Sequence, residues 1–377
     1  MTTTQEEQQS IEALIEAGEW DTVTTFFQSN PEEIRGKINP SDGSTTLHAI
    51  CFISSSPDSL IELVVDTWPE AVTIQENRFG ATPLHLLCWS SQRSRRKVEI
   101  LLERMQPKDL LIRNRIMGST ALHSACGNNA ELPVLQAIVK KYPPVLLAKT
   151  FDQHNTALNA VWSSHLQTIP GHMQIARILK GDTVEEQHFD RFWKKCTFLA
   201  MQSFKLSSAC PKELLDNNDD TQDSALYNYV LHGLLDLKGP LNMIKTAIKI
   251  NPDWARHADA DGNYPLHLIV QRRPFRVKDV ELIRELLQAY PEAVEKRNSD
   301  DDLPIQIAIR ERMVWEEGLG EIANANTEIL GILDNRTKLY PFLLAASLGG
   351  RVAVNTTYQL LLAKPHLIKE AVENVQE

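Results

Sequence analysis

A nine-residue string recurs along the chain and limits what it can fold into. It reads Gly80-Ala81-Thr82-Pro83-Leu84-His85-Leu86-Leu87-Cys88, with near-copies at Gly43 to Cys51, Gly118 to Cys126 and Gly262 to Val270. Each copy is the start of a helix. Glycine closes a turn, a threonine hydroxyl can cap the first free amides, and proline suits the first helical position, where no amide bond is lost. Leu84, Leu87 and Cys88 then follow at helical spacing.

The copies keep a period. Leu47, Leu84, Leu122 and Leu158 are 37, 38 and 36 residues apart. After a gap of 68 the phase resumes at Leu226, Leu266, Ile305 and Phe342, with intervals of 40, 39 and 37. A second marker follows each aligned position: Pro69, Pro107, Pro143, Pro252, Pro291 and Pro365, most of them behind an amphipathic run such as Val280 to Leu287. Proline stops a helix because it lacks the amide donor and clashes with the preceding turn. One unit therefore reads as turn, capped helix, loop, longer helix, proline stop and extended link. A chain of 377 residues would otherwise suggest two or three globular domains. A fixed period means growth by stacking units instead.

The units resemble the ankyrin repeat, whose signature is Thr-Pro-Leu-His. The match is fullest at Thr82, Pro83, Leu84 and His85. It is good at Thr45, Leu47 and His48, at Thr120, Leu122 and His123, and at Pro265, Leu266 and His267. It is weaker around Leu158, Leu226, Ile305 and Phe342. The resemblance implies an all-α, ankyrin-type helical repeat solenoid with short turn-hairpins, about seven or eight repeats long. The period exceeds the usual ~33, so longer loops between paired helices are expected. Residues 1–8 are expected to form a disordered lead, 9–38 an N-terminal helical cap, and 39–377 the repeat array. The 68-residue gap has two readings. Either residues near 163–188 are an insertion between the two helices of the fourth repeat, or a further degenerate repeat begins at Phe192. The insertion is preferred, because no turn and cap precede Phe192, whereas Asp219 to Ser224 supplies them afterwards.

His48, His85, His123 and His267 invite a metal or catalytic reading. They hold one equivalent position, so stacking would set successive rings about 10 Å apart, whereas zinc needs ligands at ~2.0–2.3 Å. The resemblance implies that each bonds the turn of its own or the adjacent repeat. Cys51, Cys88 and Cys126 lie three residues further on, at a small core position. Cys210 falls in a loop, as a candidate exposed thiol. His257 to Asn263 mimics the start of a calcium loop, but its twelfth position is Leu268 instead of the bidentate glutamate. No phosphate loop, nucleophile elbow or zinc-protease motif occurs. No enzyme activity and no cofactor are expected, and no small-molecule ligand.

Five cysteines without a short-loop pairing pattern fit a reducing compartment. Met1 to Ser10 is polar, so no secretory signal is read there, and Leu339 to Leu348 is too short to cross a bilayer. A cytoplasmic or nuclear location is expected. The net charge of −10 disfavours nucleic acid and anionic membrane as general partners.

The resemblance implies a protein–protein interaction scaffold that binds a partner protein on helices and turn tips of a concave face. The tips change sign along the chain. Early tips carry Arg78, Arg113 and Arg115. Later ones carry Asp219, Asp220 and Asp223, then Asp259 and Asp261, then Asp300, Asp301 and Asp302. Stacked, the aspartates would form an acidic ridge suited to a basic segment of a partner. Two basic loops, with Arg93, Arg95 and Arg96 and with Arg272 and Arg273, support an alternative adaptor role toward a phosphopeptide or nucleic-acid backbone. Trp89 and Trp162 are candidate aromatic anchors.

Overall fold

The computed structural model describes residues 5–39, 41–90, 94–152, 155–184, 187–215, 224–272 and 279–369. Contacts divide the chain into two units: residues 1–172 with 185–199, and residues 173–184 with 200–377.

The first unit opens with α1 (Gln5–Ala17) and α2 (Trp20–Ser29). The helix thus starts inside the segment expected as a lead, and residues 1–4 lie outside the described residues. Val23 and Phe27 of α2 face inward, whereas Asp21, Thr22, Thr25 and Gln28 face water. A short antiparallel pair, Lys37–Asn39 with Ser44–Thr45, leads into the repeats. These pair α3 (Thr46–Phe52) with α4 (Asp58–Thr67), α5 (Pro83–Trp89) with α6 (Arg95–Arg104), and α7 (Ala121–Gly127) with α8 (Leu132–Lys141). The short first helices α3, α5, α7 and α9 (Ala157–Leu166) stack in one row, and α4, α6 and α8 in another. The inward stripe is the repeated motif itself: Leu47, Leu84, Leu122 and Leu158 are all buried.

Five of the six recurring prolines, all but Pro365, start a helical element of their own. Pro69, Pro107 and Pro143 open five-residue 3-10 turns, as Pro31 does after α2. Proline costs nothing there, since a first-turn amide has no partner to lose. The links between paired helices are short, at 53–57, 90–94 and 128–131. In these repeats the length beyond ~33 sits after the second helix, whereas in the second unit the links at 272–278 and 311–318 are longer, as expected from the period.

Beyond α9 the chain continues through α10 (Ile169–Leu179) and the long α11 (Gln187–Lys205). A buried lysine gives the register of α11. Lys97 of α6 donates to Ser54 O and Ser56 Oγ in the preceding repeat, both at 2.9 Å, with Cys51 as an electrostatic neighbour. Lys195 of α11 donates to Asn129 Oδ1 at 2.6 Å, with Cys126 as its neighbour. By that correspondence α11 takes the place of a second helix paired with α9. The stretch between α9 and α11 is itself largely helical, and α9 runs past residue 163 to end at Leu166.

In the second unit, α12 (Val230–Asp236), α14 (Pro265–Gln271), α16 (Pro304–Arg310) and α18 (Pro341–Ser347) form the first-helix row. Beside them lie α13 (Leu241–Ile250), α15 (Asp279–Ala289), α17 (Leu319–Ala325) and α19 (Gly350–Ala363). Here the sequence phase needs a correction. Leu231, not Leu226, stands at the aligned position, because it is His232 that reaches forward to Asn263 O at 3.2 Å, as the other motif histidines do. Leu226 packs instead with Phe204 and Cys210, so Cys210 is a buried thiol and not an exposed one. The turn of this repeat is at Ser207 to Cys210, where Ala209 O accepts from Ala260 N–H. The expected turn with Asp219, Asp220 and Asp223 lies outside the described residues.

Candidate interaction surface

The repeated motif supplies the frame on which any site must sit. In the α5 repeat, Thr82 N–H and Oγ1 approach His85 Nδ1 at 3.3 and 2.7 Å. The other ring nitrogen, Nε2, lies 3.0 Å from Ser119 O in the next repeat. A carbonyl can only accept, so Nε2 carries the proton and Nδ1 is the acceptor. His48 makes the same contacts with Thr45 and Ala81 O, and His123 with Thr120 and Asn155 O. His267 accepts from Tyr264 N–H and donates to Asp302 O. A second proton would turn Nδ1 from acceptor into donor, facing an amide. Burial adds to this cost and lowers His85, His232 and His267 to about 4, with His48 and His123 also lowered. Each ring is a neutral clamp between neighbouring repeats.

The cysteines are equally closed. Burial pushes Cys51 up to about 12 and raises Cys126 and Cys196 well above the ordinary thiol value, far from thiolate reactivity. Among the described residues no three His, Cys, Asp or Glu side chains converge where a metal could sit.

Adjacent turns are joined along the stack. Asp42 O accepts from Asn77 N–H (2.5 Å), Phe79 O from Arg115 N–H (2.8 Å) and Met117 O from Phe151 N–H (2.9 Å). In the second unit Asp261 O accepts from Ser299 N–H at 2.8 Å. Each turn also has an inner bracket, a polar side chain that binds the turn's own amides. Glu76 accepts from Arg78, Phe79 and Ala81 N–H, Asn114 from Met117 and Ser119, and Asn298 from Asp300 and Asp302.

This bracket revises the acidic ridge. Asp259 is the bracket of its turn: it is buried and accepts from Asp261 N–H and Asn263 N–H at 3.0 and 2.7 Å. Burial raises it to about 6. Asp302 is buried too, held by Arg310 at 2.5 Å and Arg336 at 2.8 Å. Neither can meet a partner. Asp300 and Asp301 are exposed but paired with Arg336 and Arg297, whereas the exposed Asp261 carboxylate forms no ion pair among the described residues.

The basic loops are similarly engaged. Arg95 pairs with Glu99 at 2.7 Å, and Arg96 with Glu62 at 2.8 Å and Glu103 at 3.4 Å. Arg272 reaches Gly239 O at 3.5 Å, while Arg93 and Arg273 lie outside the described residues. Of the two tryptophans, Trp162 is core, against Phe192. Trp89 is half-buried and meets Phe79 edge-to-face at 5.8 Å, with the Arg78 guanidinium 4.8 Å over the Phe79 ring.

One surface was not anticipated. On the third and fourth turns Ile116 is 59% exposed, Met117 60% and Phe151 58%. Phe151 lies across Gly118, where a Cβ would stand 2.5 Å from its ring. Arg78, Arg113, Arg115 and Lys149, on or beside the same run of turns, are all exposed. The signal was present in the sequence as apolar residues at turn positions otherwise taken by Asp, Asn and Gly.

The turn, paired helices and forward-reaching histidine define an ankyrin-type repeat protein. No protein-family model and no curated protein matches the chain. Among solved structures it is similar to the ankyrin repeat domain of Bcl-3, described as a unique member of the IkappaB protein family. That match has 18% identity, 75% of this chain and 99% of that chain covered, and a TM-score of 0.31. The superposition is loose, and the class rests on the repeat itself. No helix among the described residues is long and apolar enough to cross a membrane.

Proposed function

We propose that the chain is a non-catalytic scaffold that recognises a partner protein through the turn tips of its first unit. One observation carries this reading: Ile116, Met117 and Phe151 expose apolar surface on neighbouring turns that a main-chain hydrogen bond holds together. A rigid backbone presenting apolar side chains loses little entropy on docking. Phe79, Trp89 and Arg78 extend the surface with the residue types that dominate interface energetics. A stable complex would bury about 1,200–2,000 Å² in total. The five buried thiols suit a cytoplasmic or nuclear setting.

A second reading keeps Asp261, Asp300 and Asp301 as a docking point for a basic segment. It is favoured only by the exposure of Asp261, since Asp300 and Asp301 already have arginine partners. Affinity capture separates the two. Ile116→Asp with Phe151→Asp should abolish retention of specific partners, with helicity unchanged, whereas Asp261→Lys should leave retention intact. The reverse pattern would replace the first reading with the second.

A further inference from the structure

The first-unit tips carry cations without counter-charges. Elsewhere in that unit Arg95, Arg96 and Arg104 are paired with Glu99, Glu62 and Asp66. Among the described residues no carboxylate pairs with Arg78, Arg113, Arg115 or Lys149. The acidic side chains of these turns are occupied: Glu76 by three backbone amides, and Asp152 by Thr150 Oγ1 and Asn155 Nδ2. In a protein of net charge −10, this is a local positive field around exposed apolar side chains.

The geometry also limits how a partner can be held. The outward amides of Arg115 and Phe151 are spent on the preceding turns, at 2.8 and 2.9 Å. A partner strand therefore finds these two donors taken, and the exposed side chains are the main means of recognition. The tips rise with the stack, in steps of roughly 8–10 Å, the packing distance of neighbouring helices. A segment in the polyproline II conformation advances ~3.1 Å per residue with about three residues per turn, so every third side chain returns to the same face about one step further on.

We infer that these tips take an extended, acidic protein segment whose carboxylates recur about every third residue, with apolar side chains between them. The carboxylates meet Arg78, then Arg113 and Arg115, then Lys149. The apolar side chains lie on Ile116, Met117 and Phe151. This rests on the docking reading above and adds the partner's charge and spacing.

The test uses the full chain and three labelled synthetic nonapeptides, followed by fluorescence anisotropy. The first repeats Glu-Leu-Ser, the second has the same composition with its glutamates contiguous, and the third repeats Lys-Leu-Ser. The first should bind about tenfold more tightly than the second, and the third should not bind. Its affinity should fall from 50 to 300 mM salt, as exposed charge pairs are screened. Arg113→Glu with Arg115→Glu should abolish binding, and Arg113→Gln with Arg115→Gln should weaken it. Equal binding of the first two peptides, binding of the third, or no binding at all would overturn the inference. Failure of docking itself has a different signature, since specific partners would then survive Ile116→Asp with Phe151→Asp in affinity capture.

Discussion

Gln306 stands one repeat after His267 and makes the same two hydrogen bonds. Its Oε1 accepts from Leu303 N–H at 3.0 Å, and its Nε2 donates to Leu333 O at 3.1 Å. The clamp therefore needs one acceptor and one donor at that spacing, not a titratable ring. Each buried imidazole has a pKa below the ordinary 6.5, so its stabilisation is fully present above about 6.5 and is lost as pH falls through about 4. Each contributes roughly 2–4 kcal/mol of acid sensitivity. His85→Gln and His267→Gln together should leave the melting temperature at pH 7.5 nearly unchanged and flatten its fall between pH 6.5 and 4. An undiminished acid slope would show that other groups carry it.

Asp259 has the opposite sign. Its folded pKa of about 6 is above that of an unfolded carboxyl, so its stabilisation is complete at about pH 4 and lost as pH rises through 6. Asparagine keeps the acceptor without the charge, as Asn298 does one repeat later. Asp259→Asn should therefore melt no lower than wild type at pH 7.5, with any gain vanishing near pH 4. Asp259→Ala leaves two turn amides unpaired and should cost about 1–3 kcal/mol by urea denaturation.

Asp302 and Asp334 share Arg310, and all three side chains are largely out of water. Removing the cation leaves the buried Asp334 carboxylate without a counter-charge and Asp302 with Arg336 alone, so Arg310→Ala should destabilise by about 3–5 kcal/mol. Asp302→Lys should do comparable harm. A charge reversal of the supposed ridge that included Asp302 would then report unfolding instead of lost docking, and circular dichroism beside the capture assay would reveal it.

Gly233 lets α12 approach the α11 backbone closely. A Cβ there would collide with the backbone carbonyl of Ala200 on α11, which no rotamer change can relieve. Gly233→Ala should cost about 3 kcal/mol or more in chemical denaturation. Gly127→Ala, with open space around its Cβ position, is the control and should change stability little.

The scaffold was legible in the sequence because its key bonds are local. A threonine and a histidine three residues apart satisfy a helix start, and repetition of the pair exposes the period. The Leu231-His232 pair was as visible as the others, but it lacks the threonine and glycine that mark a turn, so Leu226 took its place. The bracket residues were less legible. Asp259 and Asp261 are two positions apart, and only the turn geometry at Gly262, with φ +72°, decides which faces inward. A polar residue seven or eight positions before the aligned apolar one, as at Glu76, Asn114, Asp259, Asn298 and Asp334, was the signal available. The apolar tips were hidden for another reason: whether Ile116 and Phe151 are covered depends on neighbours a whole repeat away.

Lys195 still finds Asn129 after the long detour through α10, just as Lys97 finds Ser56 across a link of five residues. Loop closure grows only slowly in cost with length. The lysine anchor thus holds α11 on the first unit independently of the chain threaded before it, and lengthening the exposed link at 180–183, clear of the buried Ile175 and Ile178, should leave the Lys195–Asn129 contact in place.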